Sequence, residues 1–476
     1  MPRQLALALT FAFIVWLFRR DARESKGVTL AIWVPLTWML ISGSRFVGQW
    51  LELFSGQQAT GAAEDGSPID RLVFLLLIGA GVVILTKRRA TIGQFVRNNV
   101  WLTIFFAYCF LAIGWSDFPF VALKRWVKTI GEPIMALVVL TEPDPSEALT
   151  RIMKRAGYIL ITFSVTFIKY YPEWGRIFSF WNGEAQNTGV ADNKNGLGYL
   201  CLIFGAFFFC NFLCTRRLPK SLARRTEQLI NLMFLGMIWW LVSIAGAKTG
   251  LMALFVTLGL VVLLEFRLMS KRFVGTYLLT VVALVLAADA LFGLFSNLVD
   301  LLGKDSSLTG RIPLWKDLFL VDINPLLGAG FESFWLGDRL ALMWTKYWWH
   351  PTQAHNGYIE TYLNLGLLGI LLLTALMIAS FWKIRRDLLN DVPFATFRLG
   401  YLVALIIYNY TDATFHALHV LWLVFYMVVV EFPPIAARQV SPTPALQGIA
   451  SAGALRPRTM GPGVRRSPAF GGAGER

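Results

Sequence analysis

Apolar and polar positions come in blocks along this chain rather than at the helical or the strand period. Apolar runs cover about 5–18, 28–47, 70–86, 98–115, 126–141, 156–170, 195–214, 229–246, 249–266, 274–292, 358–382, 396–411 and 416–432. A helix needs roughly 20 apolar residues to cross a bilayer core. The blocks therefore predict an all-α, polytopic transmembrane helical bundle of about 12–13 spans. A transmembrane β-barrel would instead show short alternating segments. The expected organisation is helices 1–10 over 1–292, one long extracytoplasmic loop over 293–357, helices 11–13 over 358–436 and a tail over 437–476.

The first run precedes Arg19, Arg20, Arg23 and Lys26. A signal peptide has its charges before the run and a small-residue cleavage site after it. The order here is reversed, which suggests a retained short helix with its N-terminus outside. The tail from Pro433 is rich in Pro, Gly, Ala and Arg and lacks an apolar period, so it reads as a disordered basic extension.

Charge fixes the expected sidedness. The clusters at Arg19–Lys26, Lys87–Arg89, Arg151–Arg155, Arg216–Arg225, Arg267–Arg272 and Lys383–Arg386 fall on one side in strict alternation. The positive-inside rule makes that side the cytoplasm. Intervals 48–69, 116–125, 171–194, 247–248, 293–357 and 412–415 then face outward. The formal charge of +15 thus follows membrane topology and does not point to nucleic acid. The cysteines Cys109, Cys201, Cys210 and Cys214 sit in or beside apolar runs and suggest neither disulfides nor a metal site.

The candidate chemistry gathers on the outer side. Lys124, Arg125 and Lys128 follow SDFPF, Lys248 lies in the turn SIAGAKTG, and Arg311 lies in TGRIPLW. Snorkelling, headgroup contact or capping would account for each alone. Together they suit one anion, and diphosphate fits the Arg fork and the compact Lys charge. GAKTG is not a nucleotide-binding loop, because Val242 and Ala247 stand where its glycines belong.

His355, in QAHNGYIE, is either a packed interfacial histidine or a general base or hydroxyl partner. Glu360, one turn on, needs a partner just inside a span. His350, His416, His419 and Asp412 are weaker candidates at the same rim. Trp335, Trp344, Tyr347, Trp348, Trp349 and Tyr358 suit an aromatic belt or a sugar-binding surface. Asp192–Gly196 is a further outer polar stretch, read otherwise as a helix start capped by Asn193 or Asn195. Glu332, Asp338 and Asp305 form no tight acidic cluster, and no metal is expected.

The segment KNGLG at Lys194–Gly198, the basic turn at Lys248 and GR…LW at Arg311–Trp315 together resemble the O-antigen ligase and polysaccharide polymerase superfamily. So do NPLLGAGFESF at Asn324–Phe334 and HNGYIE with a trailing GLLG at His355–Gly369. The resemblance implies a glycosyltransferase of the GT-C type in the inner membrane, working on the periplasmic side. It would move a glycan from an undecaprenyl-diphosphate carrier to a glycan or lipid-linked acceptor, with inversion and without a metal or other cofactor. By motif, Lys248 and Arg311 would hold diphosphate and His355 would activate the acceptor. Arg125, Lys194, Asn195, Asn356, Tyr358, Glu360 and Trp335 would contact substrate. Ligases of this family commonly carry Arg where Lys248 stands, and Lys lacks the bidentate fork.

Two other classes compete. A transporter or flippase of lipid-linked sugars should line a path through the membrane with polar groups; here they gather on one face. A scaffold would not need outer cations. Ligase and polymerase share donor chemistry and are not separated by these residues, and no oligomeric state follows from them.

Overall fold

The computed structural model describes residues 1–24, 27–55, 67–179, 183–266, 268–292, 311–392, 394–415 and 418–432, all within the compact unit Met1–Pro434. The tail 437–476, the first part of the long loop with Asp305, Lys26, Arg267 and His416 lie outside the described residues.

The architecture is all-α. The helices are α1 (Arg3–Glu24), α2 (Trp33–Ser42), α3 (Val47–Ser55), α4 (Pro68–Lys87), α5 (Ile92–Asn98), α6 (Val100–Leu111), α7 (Pro119–Leu140), α8 (Pro145–Tyr170) and the short α9 (Pro172–Gly175). They continue with α10 (Lys194–Arg216), α11 (Leu222–Ala245), α12 (Lys248–Glu265), α13 (Val274–Phe292), α14 (Arg311–Phe319), α15 (Gly337–Lys346), α16 (Gly357–Leu389), α17 (Ala395–Thr411) and α18 (Val420–Val429). A small antiparallel hairpin, β1 (Arg176–Phe178) and β2 (Ala185–Asn187), sits between α9 and α10.

Six described helices are long and apolar enough to cross a membrane, or eight if two bent pairs count as single spans. This is fewer than the expected twelve to thirteen. Other helices of spanning length carry charge: α7 holds Lys124, Arg125, Lys128 and Glu132, and α8 holds Arg151, Lys154 and Arg155. One bent pair turns by 109° between α5 and α6. There the Asn99 amide donates to the Phe95 and Glu431 carbonyls and accepts from the Glu431 N–H, supplying bonds the broken helix has lost.

α10 is the central helix and is almost wholly buried. It meets α12 at two glycines: a Cβ on Gly250 would lie 3.0 Å from the Gly198 backbone. Small residues let helix backbones approach this closely. The contact sits at the first turns of both helices and brings their N-termini together.

A second break lies inside α16, at Gly366 (φ 65°, ψ −165°). The chain segment Asn324–Phe331 fills it. Ala329 N–H and Gly330 N–H donate to the carbonyls of Leu363 and Asn364, both at 2.9 Å. Leu367 N–H and Leu368 N–H donate to the carbonyls of Pro325 and Leu326, at 2.9 and 3.2 Å. Irregular backbone in a bundle is stable when such partners satisfy it. A Cβ at Gly366 would lie 2.3 Å from Leu326 carbonyl atoms, so glycine is required there on both counts. The remainder of the connection forms a small apolar core of its own around Leu314, Leu318, Phe334, Leu340 and Met343.

Charged groups separate into two populations. At one end of the bundle Arg151 and Arg155 hold Asp21, Arg20 and Lys154 hold Glu227, Arg88 holds Glu142, and Arg398 holds Asp387. The other end carries the turn before α12, the connection from α14 to α16 and the α17–α18 link.

Candidate active site

Helix ends build this region. α10 starts at Lys194, with Asn193 capping it through Oδ1 to the Gly196 N–H at 2.8 Å. α12 starts at Lys248, which is exposed. α16 starts at Gly357, capped by Asn356, whose Oδ1 accepts from Tyr358 N–H and Ile359 N–H at 3.0 and 3.1 Å. All of these starts lean on the C-terminal turn of α17. Tyr408 Oη donates to the Asn195 carbonyl at 3.1 Å. Thr411 Oγ1 donates to Thr249 Oγ1 at 2.9 Å. Asn356 Nδ2 donates to the Tyr410 carbonyl at 3.0 Å, and Tyr358 Oη to the Ile406 carbonyl at 2.9 Å. Helix N-termini carry partial positive charge and unpaired N–H groups, and so favour an anion.

Arg311 joins the same turn. Its guanidinium donates to the Thr411 carbonyl. The next residue, Asp412, faces His355, with Oδ1 3.7 Å from Nδ1. That is an ion-pair distance but longer than a hydrogen bond, and the buried Nδ1 has no hydrogen-bond partner. Burial pushes the Asp412 carboxyl up; His355, Arg311 and His419 outweigh it and hold the group below the usual carboxylate range. His355 has φ 52°, a left-handed backbone conformation uncommon for a non-glycine residue.

Glu360 is fixed from several directions. Trp335 Nε1 donates to both carboxylate oxygens at 2.9 and 3.0 Å, Ala354 N–H donates to Oε2 at 2.8 Å, and Asn364 Nδ2 to Oε1 at 3.0 Å. The Ala354 bond ties the residue before His355 to the first turn of α16, and the Ala354 carbonyl accepts from Trp315 Nε1 at 2.7 Å. Trp315 itself lies one turn after Arg311, so α14 and the His355 turn are held together.

A cavity of about 380 Å³ is lined in part by Arg125, Trp335, Glu360 and Thr361 and is mostly apolar, with Phe105, Phe331, Leu340 and Phe415 in its wall. Arg125 donates to the Glu332 carbonyl across its wall. Lys248, Arg311 and His355 are outside this lining.

The weaker rim histidines have local partners. His350 stacks on Trp344, with ring centres 4.9 Å apart. His419 caps α18 through Nδ1 and meets Tyr199 edge-on. Tyr347 Oη donates to Asp317 Oδ2 at 3.0 Å; burial and that carboxylate push the phenol up to about 12.

The expected residues therefore fall into two groups. Arg311, His355 and Asn356 share the end of α17, with Lys248, Lys194 and Asn195 on the neighbouring helix starts. Arg125, Trp335 and Glu360 share the cavity. Asp412, ranked low from its sequence, faces His355 directly. The plug over Asn324–Phe331 and the buried Thr361 and Asn364 had no polar-cluster signal, although the glycines of NPLLGAGF and GLLG mark both sides of the break.

Residues 232–374 match the O-antigen ligase family. The chain is also similar to the exopolysaccharide production protein ExoQ of Rhizobium meliloti (strain 1021), with 24% identity over 322 residues, 65% of this chain and 70% of that protein. The family match runs from within α11 into α16 and contains Lys248, Arg311, His355 and Glu360. Arg125, Lys194 and Asp412 lie outside it.

Proposed function

From the match of residues 232–374 to the O-antigen ligase family and the likeness to ExoQ, we propose the following reaction for this membrane protein of surface-polysaccharide synthesis. It transfers a glycan from undecaprenyl diphosphate to an acceptor hydroxyl, on the outer face of the bacterial inner membrane.

The convergence of helix starts at Lys194, Lys248 and Gly357 on the Arg311–Thr411 turn carries this reading. A diphosphate placed there meets helix N-termini, a guanidinium and an ammonium. These stabilise the charge that develops as it leaves. His355 takes the proton of the acceptor hydroxyl. The freed oxygen attacks the anomeric carbon from the face opposite the diphosphate. The carbon–oxygen bond to diphosphate breaks, and its electron pair stays on the departing phosphate oxygen. Attack opposite the leaving group inverts the anomeric centre. Asp412 orients His355 and stabilises the imidazolium formed. Chain cations and helix N-termini carry the charge stabilisation, and no metal is invoked.

Asn356 and Tyr358 hold the start of α16 against α17 in this reading. Lys194 and Asn195 rim the diphosphate site, and Arg125, Trp335 and Glu360 face sugar. The positive-inside rule supports a cytoplasmic basic end, and in this reading the site faces the side where a lipid-linked donor waits.

The test is transfer in proteoliposomes. Purified protein, undecaprenyl-diphosphate glycan and a glycan acceptor should yield longer chains and free undecaprenyl diphosphate. Movement of the lipid-linked donor across the bilayer without a new glycosidic bond would replace this reading with a flippase.

A further inference from the structure

We propose that α14 lies in the headgroup layer of the leaflet in which α16 starts, with ordinary phospholipid against its outward face. Such a seat requires only that α16 spans the bilayer, whatever the chemistry nearby. α14 is apolar on two sides. Leu314 and Leu318 are buried in the small core shared with α15. On the other side Ile312, Pro313, Lys316, Phe319 and Leu320, the residue after its last turn, are exposed. At 3.6 residues per turn these five share an arc of about 120°. Ile312, Phe319 and Leu320 leave 49%, 57% and 79% of their surface uncovered. A surface helix turns one apolar face to the core and a polar one to water; a second apolar face asks for an apolar partner.

The depth of α14 points to lipid. Trp315 bonds the Ala354 carbonyl just before α16 starts. Further along, the Phe319 ring meets Tyr362 in the second turn of α16, with centres 5.7 Å apart. α16 is long and apolar enough to cross a membrane. Counted back from Lys383 at its basic end, a span of roughly 20 residues begins at Leu363. Tyr362 therefore stands at the hydrocarbon boundary, and α14 runs beside it. Beyond Leu320 the chain reaches the break in α16, where the Pro325 and Leu326 carbonyls accept from Leu367 and Leu368. Leu326, Leu367 and Leu371 are all exposed. The chain thus leads from the outward face of α14 onto the flank that α16 turns to lipid.

Charge selects phospholipid over a second copy of this chain. Lys316 lies in the middle of the outward arc. A lysine there lays its stem along the apolar residues and lifts its ammonium to headgroup phosphates. The neighbouring carboxylate, Asp317, is turned away from the arc: Tyr347 Oη donates to it at 3.0 Å, and Lys346 Nζ lies 3.5 Å from it. Two copies joined through this face about a twofold axis would set Lys316 against its own counterpart, like charge on like charge. Since α14 begins at Arg311, a lipid seat for the helix also sets the height at which Arg311 meets the Thr411 carbonyl.

The experiment places a nitroxide on the full-length protein in nanodiscs of phosphatidylethanolamine and phosphatidylglycerol. Cys109, Cys201 and Cys210 are buried and Cys214 is exposed, so Cys214→Ser provides the background. The label goes on Ile312→Cys or, separately, on Leu320→Cys. At both positions it should collide with oxygen, which concentrates in the bilayer, and lose most collisions with a nickel chelate, which stays in water. Lys316→Glu sets a carboxylate among phosphates and should return the Leu320→Cys label toward the nickel chelate. If one labelled variant does not fold, the other decides. Full nickel collisions at the labelled positions overturn the proposal, because the face then meets water. Shielding from both reagents overturns it in favour of a protein segment over α14, and spin–spin broadening between labels in favour of a second copy.

Discussion

The two ends of this bundle use the same side chains for different ends. At the basic end, cations meet carboxylates at close range: Arg155 Nε lies 2.7 Å from Asp21 Oδ2, and Arg20 and Lys154 share Glu227. Those charges are neutralised where they stand. At the other end, Arg125 and Arg311 donate to backbone carbonyls, of Glu332 and Thr411. A carbonyl accepts from a guanidinium and fixes its direction. Among the carboxylates there, Asp412 faces a histidine, Glu360 is held by Trp335, Ala354 and Asn364, and Asp117 pairs with Arg339 at 2.6 Å. At the basic end ion pairs between helices dominate; at the other end Arg125, Arg311 and Asp412 are oriented by carbonyls and a histidine beside the Arg339–Asp117 pair.

The widest gap between the ends should come from paired substitutions. Arg311→Ala should cut transfer by about 10²–10³-fold, the usual loss when one charge-stabilising donor is removed, with thermal unfolding unchanged. Normal turnover in that variant would erase the distinction. Asp21→Ala should do the opposite. It takes Asp21 from Arg155 and leaves Arg151 with Glu147, and should cost about 3–5 kcal/mol of stability. The protein that remains folded should transfer glycan at the normal rate. Lost transfer with an unchanged melting curve would show that the basic end also serves the chemistry.

Asp412 sharpens the same contrast. Asp412→Asn should slow transfer by about ten- to a hundredfold, less than the roughly 10²–10⁴ expected for loss of a general base itself. Its carboxyl is held below the usual range in the folded protein. The ionised form therefore stabilises the fold at pH values above about 3.9, the ordinary carboxylate value. That contribution fades as pH falls through the folded value. The difference in melting temperature between wild type and Asp412→Asn should be flat from neutral pH down to about 4 and shrink below it. A difference that does not shrink in acid would contradict the stabilising role of the ionised carboxyl.

Much of this was legible in the chain. Helical blocks and alternating basic clusters separate the ends, because bilayer thickness and charge bias act directly on composition. Arg311, His355 and Glu360 were legible as rare polar residues at membrane boundaries. The break at Gly366 was not, since GLLG inside an apolar run reads as uninterrupted helix until another segment is seen to supply the missing bonds. Asn99 hides its bend for the same reason. Asp412 was underrated because a lone aspartate at a helix end has many ordinary uses. Its partner lies far away in sequence, and only the α17 turn brings them together.

Tyr358 offers the smallest and most discriminating case. Its ring belongs to the HNGYIE segment that suggested substrate contact, yet its hydroxyl donates to the Ile406 carbonyl at 2.9 Å and its ring meets Phe415 edge-on. α16 and α17 pack against one another there, and the hydroxyl pins one to the other beside the His355 turn. Tyr358→Phe keeps the ring and removes that bond, so it should cost about 1 kcal/mol of stability and leave both KM values unchanged. Tyr358→Leu should add the loss of the aromatic contact, about 0.5–1.5 kcal/mol more. A raised acceptor KM in Tyr358→Phe with an unaltered melting temperature would move the hydroxyl from the scaffold to the substrate, and the charge-positioning end would then extend further along α16 than Arg311 and His355 define.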